Sequence, residues 1–235
     1  MGEDKSVALA GVAERAGRYD DMMDFMKQRV MTGVPFTTDE RDMFSAAFKN
    51  ALSERRQAVR HALSIAQAER ETNHDHYSLA MGYKSRVETE LQEICNSLLG
   101  ILNTSLLPSA AAGEDKTFYL KMQGDYYRYL AEFSEGQQKA GLAEEARAAY
   151  DNAMCEASSM DFTHPVRLGL ALNFSVFQHE VLQDTQNAVQ TATSALDNAR
   201  KASMEGSPII ENSDADVTMK LLGENLQLWS SEGRQ

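Results

Sequence analysis

The sequence predicts an all-α fold built from nine antiparallel helices. Three observations carry that prediction. Apolar residues recur at spacings of three and four almost from end to end, which is the period of an amphipathic helix. Only 14 glycines and 4 prolines interrupt 235 residues, too few breakers for many short strands. No stretch alternates apolar and polar residues over a useful strand length.

Each element follows from its own pattern. Val7, Ala10, Gly11 and Glu14 mark a short first helix, and Tyr19, Met22, Met23 and Met26 a second stripe. The third opens at Thr37–Thr38 before Asp39–Glu40, a capping signal, and runs through "ERDMFSAAFKNALSERRQAVRHALSIAQAER" without proline or glycine. A fourth, roughly 76–106, stops at Pro108, and "SAAAGED" is a loop. Residues 115–133 form the fifth, ending near Gly136, and 138–160 the sixth. Thr163 is the expected N-cap of the seventh, with Pro165 at a tolerated first-turn position and His164 a cap residue. The eighth covers 185–203. A linker, "SMEGSPIIENS", precedes the ninth over 214–231. Short loops make consecutive helices antiparallel neighbours stacked as in a solenoid. No repeat of fixed period accompanies them; a tetratricopeptide array would show one near 34 residues.

Composition narrows the function. The net charge of −12 repels nucleic acid and anionic membrane over long range, so neither is an expected partner. No run reaches the ~20 apolar residues needed to span a bilayer. Cys95 and Cys155, far apart, read as reduced cytosolic thiols. The start, MGEDKS, fits the loose M-G-x-x-x-S lipidation pattern, but acidic residues follow Gly2 at once, and it is not taken as an anchor. No nucleophile elbow, P-loop or HExxH motif points to an enzyme. His74-Asp75-His76 lacks a third ligand and is placed in a loop between helices, so no metal or other cofactor is expected.

In an acidic chain, a cluster of cations is informative. Lys49, Arg56 and Arg60 are seven and four residues apart and share one face of the third helix, while Arg55 points elsewhere. No acid occupies the intervening positions of that face. In "KMQGDYYRYLAE", Lys121 and Arg128 are again seven apart, Tyr129 adjoins Arg128, and Asp125 is placed to orient its guanidinium. Tyr126, Tyr127 and Tyr129 cannot all face one side. Two readings stay open: solvated faces laced with ion pairs, or two cationic faces meeting across a groove. In the second, Lys49, Arg56, Arg128 and the Tyr129 hydroxyl suit a dianion such as phosphoserine, with arginine forks matching its oxygens. Leu172, Asn173, Val176 and Glu180 share a face of the seventh helix; Leu221, Asn225, Leu228 and Trp229 share one of the ninth. Each asparagine either bonds local structure or holds a peptide backbone by its amide.

At these residues the chain resembles the 14-3-3 family. "RYDDM", "ELQEICN", "KMQGDYYRYLAE", "THPVRLGLALNFSVF" and "NLQLW" are near-verbatim matches to its signature blocks, and the similarity spans essentially the full length. The resemblance implies a single domain over 1–235, a cup-shaped protomer that dimerises. Within it, about 1–108 would serve dimerisation and part of the phosphate pocket, about 114–231 the groove, and 232–235 a short tail. It implies a phosphate pocket of Lys49, Arg56, Arg128 and Tyr129 with Arg60 in support. Asn173 and Asn225 would hold the peptide backbone; Leu172, Val176, Leu221, Leu228 and Trp229 would line the wall, with Glu180 and Lys121 nearby. Across the dimer it implies Arg18 with Glu90 and Asp21 with Arg86, around Val12, Ala16, Ala58 and Tyr83.

The resemblance further implies an adaptor, not an enzyme, that regulates phosphoserine or phosphothreonine proteins by clamping, masking or bridging them. It implies a cytoplasmic address, with the nucleus as a second, and homodimers, with heterodimers among paralogues open. Several positions depart from the pattern. Ala58 replaces an interface serine, Val59 a tryptophan, Gln178–His179 a tyrosine pair and Thr218 an aliphatic groove residue. The 204–213 linker with Pro208 diverges, and an ending of "SSEGRQ" leaves the usual acidic tail nearly absent, by nature or by truncation. The competing expectation is a helical scaffold for unphosphorylated peptides, which needs no cluster of Lys49, Arg56 and Arg128.

Overall fold

In this computed structural model, residues 5–232 are described, and the chain divides into two compact units, 1–109 and 110–235. The lipidation pattern at Gly2 and residues 233–235 of the expected tail lie outside the described residues. Nine helices and no strand occur among the described residues.

The first unit holds α1 (Lys5–Arg15), α2 (Tyr19–Met31), α3 (Thr38–Glu69) and α4 (His74–Ile101). The capping signal takes the form of a capping box: the Thr37 hydroxyl accepts from the Glu40 amide at 3.3 Å, and the Glu40 carboxylate accepts from the Thr37 amide at 2.8 Å. Glu40 also clasps α2. Arg29, only 5% exposed, donates from Nε and Nη2 to its two oxygens, both at 2.9 Å, and to the carbonyls of Val34 and Pro35. The turn between α2 and α3 is thereby tied to both helices. Met22, Met26, Phe44, Phe48, Leu91 and Leu98 fill the core beneath it.

Two expectations change in α4. The helix begins at His74, with Asn73 accepting from the His76 amide at 3.2 Å, so His74-Asp75-His76 is its first turn and not a loop. Nor does it end ahead of Pro108. Leu102–Leu106 form a π-helical turn, in which the Leu107 amide donates to the Leu102 carbonyl, and Leu107–Ser109 continue as helix. The wider turn accommodates a ring that would press on the carbonyl four residues earlier in a regular α-helix.

The second unit holds α5 (Glu114–Glu132), α6 (Gly136–Glu156), α7 (Pro165–Glu180), α8 (Thr185–Glu205) and α9 (Asp214–Glu232). Helix α5 packs along α6, and α9 packs on both α7 and α8. The α7 N-cap is His164, whose Nδ1 accepts from the Val166 amide at 3.3 Å; the Thr163 hydroxyl, the other expected cap, is taken by Asp161 at 2.8 Å. Leu168, Ala188, Ala192, Leu196, Leu222 and Trp229 form the core under α7, α8 and α9. No described helix is long and apolar enough to cross a membrane.

Candidate functional site

The cations of α3 lie as the spacing predicts. Lys49 and Arg60 are exposed and Arg56 half-buried. Among the described residues, Lys49 and Arg60 have neither ion pair nor hydrogen bond. Arg55 does diverge: it turns to Asp20 at 2.8 Å and Glu90 at 3.4 Å. The same helix thus carries one arginine spent on internal pairing and two neighbouring cations that are not.

In the second unit, the twelve residues of "KMQGDYYRYLAE" form the centre of a buried polar network. Its hub is Asp125, 6% exposed. Lys121 Nζ donates to Asp125 at 3.1 Å and Arg128 Nη2 at 3.2 Å. The Tyr150 hydroxyl, from α6, donates at 2.6 Å, and Asn173 Nδ2, from α7, reaches both carboxylate oxygens at 2.9 Å. Tyr150 also accepts from Arg128 Nε at 3.2 Å. Burial opposes the charge of Asp125, but Lys121 and Arg128, with the bonds from Tyr150 and Lys121, outweigh it and hold the carboxyl below its usual range. Burial pushes the Tyr150 phenol well above its usual value, and Asp125 adds to that. Arg128 stays charged: although burial works against it, Tyr150, Asp125 and Tyr129 raise its pKa.

The tyrosines separate as their spacing demands. Tyr126 is buried, Tyr129 half-buried, and the Arg128 guanidinium lies over the Tyr129 ring, 4.6 Å from its centroid. Asp125 orients Arg128 as expected, so the cationic cluster of this unit has a carboxylate at its centre. Two members were not legible from the stretch itself: Tyr150, and the tie between Asp125 and Asn173. The one available signal was Gly124. A Cβ there would lie 2.9 Å from ring atoms of Tyr150, so the bare backbone admits that ring.

The expected wall is mixed. Leu221 and Leu228 are 42% and 54% exposed, Leu172, Val176 and Asn225 half-buried, and Glu180 exposed. Trp229 differs from the expectation. At 4% exposure it is a core residue, its ring stacked on His179 with centroids 4.9 Å apart, so it supports the wall from beneath. His179, one of the departing positions, therefore ties α7 to α9, and also meets the Thr185 hydroxyl at 3.1 Å. Thr218, another, back-bonds to the Asp214 carbonyl at 2.7 Å. Val59 is buried in the first unit's core.

The residues expected at a dimer contact all lie in the first unit. Val12 is 63% and Tyr83 46% exposed, and Ala16 is exposed. A groove of ≈ 430 Å³ between α3 and α4 is lined by Ala58, Ile65, Leu79 and Tyr83 among others. The charges have partners within the chain: Arg18 with Asp21, Glu90 with Arg55, and Arg86 over the Tyr83 ring at 4.9 Å.

The described chain is helical, with a cation-rich face on α3 in the first unit and a buried arginine-carboxylate network in the second. The family model described as "14-3-3 protein" matches residues 9–230. "14-3-3-like protein G-BOX factor 14 lambda" of Arabidopsis thaliana is 43% identical, covering 99% of this chain and 95% of that protein. "14-3-3-like protein GF14 chi" of the same plant is 44% identical, over 97% and 87% respectively. "14-3-3 protein 3" of Entamoeba histolytica is 40% identical, over 96% and 95%. The chain belongs to the 14-3-3 family. Members of the family are adaptors that bind partner proteins and form dimers.

Proposed function

We propose that the chain reads phosphoserine or phosphothreonine in its partner proteins, with Lys49, Arg56, Arg128 and Tyr129 taking the phosphate and Arg60 in support. The observation that carries this reading is the state of Arg128. Its Nε and Nη2 are held by Tyr150 and Asp125, and among the described residues Nη1 has no partner. A guanidinium fixed on two sides with its third nitrogen open is prepared for a phosphate oxygen at little further entropic cost. Lys49 and Arg60, unpaired in a chain of net charge −12, support the same reading.

The tie from Asp125 supports a backbone-holding role for Asn173. Its Nδ2 is spent on the carboxylate, which leaves Oδ1 to accept from a peptide N–H. Asn225 would contribute the second backbone contact. Leu172, Val176, Leu221 and Leu228 would form the apolar wall over Trp229, with Lys121 and Glu180 at its edge. Homodimerisation through the exposed apolar residues of α1, α3 and α4, with Arg18, Asp21, Arg86 and Glu90 exchanging partners, would let one dimer clamp, mask or bridge phosphoproteins. Cytoplasm and nucleus are the compartments where such partners are met.

Fluorescence anisotropy of a labelled RSxpSxP peptide, beside its unphosphorylated twin, tests this. Loss of two charge-assisted bonds alone predicts at least ~10²-fold weaker binding of the twin. Arg56→Ala/Arg128→Ala should erase the difference. Equal binding of both peptides by the native chain would favour a scaffold for unphosphorylated segments.

A further inference from the structure

We infer that Tyr150 is a positioning residue for phosphate recognition: its hydroxyl, fixed by packing on another helix, sets where the Arg128 guanidinium points. The inference rests on the phosphopeptide reading above and concerns the same site.

The argument begins with what each restraint on Arg128 can do. Asp125 is three residues earlier on α5, and Tyr129 is its neighbour. Both travel with the helix that carries Arg128, and neither joins Arg128 directly to another helix. Tyr150 does, because it projects from α6. Its ring is fully buried, stacked on Phe174 at 5.4 Å and inclined to Phe177 at 5.3 Å, while a Cβ at Gly124 would come within 2.9–3.0 Å of its Cδ1, Cε1 and Cγ. With apolar partners on one side and bare backbone on the other, the ring has no alternative seat. The phenol oxygen is therefore a fixed point. It accepts from Arg128 Nε and donates to Asp125 Oδ1. Since Asp125 in turn holds Asn173, one hydroxyl registers the phosphate ligand on α5 and the backbone ligand on α7. Adjacent Gly124 and Asp125 serve the one side chain, the first admitting its ring and the second receiving its proton.

The test is Tyr150→Phe, which keeps the ring and removes only the oxygen. Anisotropy should show the RSxpSxP peptide bound about 5- to 10-fold more weakly, with the unphosphorylated twin unchanged. In the peptide-free protein, the Arg128 Nε–H resonance, assigned with Arg128→Lys, should lose its shifted position and its protection from solvent exchange. Phe177→Leu serves as control, since it disturbs the packing around the ring but leaves the oxygen; it should lower the melting temperature without the loss of affinity. Native protein that discriminates between the peptides while Tyr150→Phe keeps its affinity and its Nε–H signal would overturn the inference alone. A loss in Phe177→Leu equal to that in Tyr150→Phe would reduce Tyr150 to a core residue and overturn it too. Native protein that binds both peptides alike would overturn the reading on which it rests.

Discussion

At the scale of single residues, Asp125 bears most of the consequences. It is the only carboxylate in the described network and neutralises Lys121 and Arg128, whose side chains are 17% and 11% exposed. Asp125→Ala would leave two cations, a phenol and an amide without their acceptor. Removing one partner of a buried ion pair costs about 3–5 kcal/mol, and that loss should appear in urea denaturation. The pH dependence has a definite sign. The folded-state pKa of Asp125 lies below the ordinary value of about 3.9. Its contribution to stability is therefore complete above pH ~4 and lost as the pH falls through the folded value. An acid titration of the urea midpoint should show a steep limb in the native chain and a flatter one in Asp125→Asn. Tyr150 acts at the opposite end. Its raised pKa gives a contribution that is complete below pH ~10 and lost above it.

At the scale of elements, magnitudes decide the sign of two substitutions. Gly124→Ala improves intrinsic helix propensity by about 1 kcal/mol. It also drives a methyl to 2.9 Å from the Tyr150 ring, which is held by Phe174 and Phe177. Overpacking of a filled core costs about 1–3 kcal/mol, so the net effect should be destabilising, and phosphopeptide affinity should fall with it because the hydroxyl moves. Calorimetry and anisotropy on one preparation check both. Glu40→Ala should be worse, since it leaves Arg29 buried without its carboxylate, at about 3–5 kcal/mol, and opens the α3 capping box as well. Hydrogen exchange should show the loss first at the start of α3. These contacts also mark what was legible in sequence. Periodicity and caps gave all nine helices, and heptad spacing separated Arg55 from Arg56 and Arg60. A capping signal was read from Thr37–Thr38 before Asp39–Glu40, while the pairing of Thr37 with Glu40 came from the structure. Tyr150 escaped because it stands 22 residues from Arg128, in the alanine-rich run "EEARAAYDNAM", where nothing local distinguishes it from an ordinary core aromatic. Pro108 misled for a related reason: a proline ends a regular helix, and only the backbone shows the π-helical turn that accommodates it.

At the scale of the whole molecule, the first unit exposes more apolar surface than a lone chain has use for. Leu9, Val12, Ile65, Leu79 and Tyr83 are between 46% and 72% exposed. Exposed apolar side chains of this kind suit an interface, and since the family forms dimers we propose a second copy as the occupant. The flanking ion pairs are exposed and contribute little, so apolar contact must supply most of the affinity. Charge placed in that contact should then separate the subunits. Val12→Glu/Tyr83→Glu is expected to sediment as a monomer at concentrations where the native chain is a dimer, with the binding of a singly phosphorylated peptide unchanged, since no phosphate ligand is altered. A peptide with two phosphoserines on a linker long enough to reach both subunits discriminates further. On the dimer the second site binds at an effective concentration set by the linker, so the doubly phosphorylated peptide should bind about 10²- to 10⁴-fold more tightly than the single one. The monomeric variant should retain the single-site affinity and lose the whole of that gain. Were it to keep the gain, both phosphates would have to be bound within one chain, and dimerisation would no longer account for the clamping of doubly phosphorylated partners.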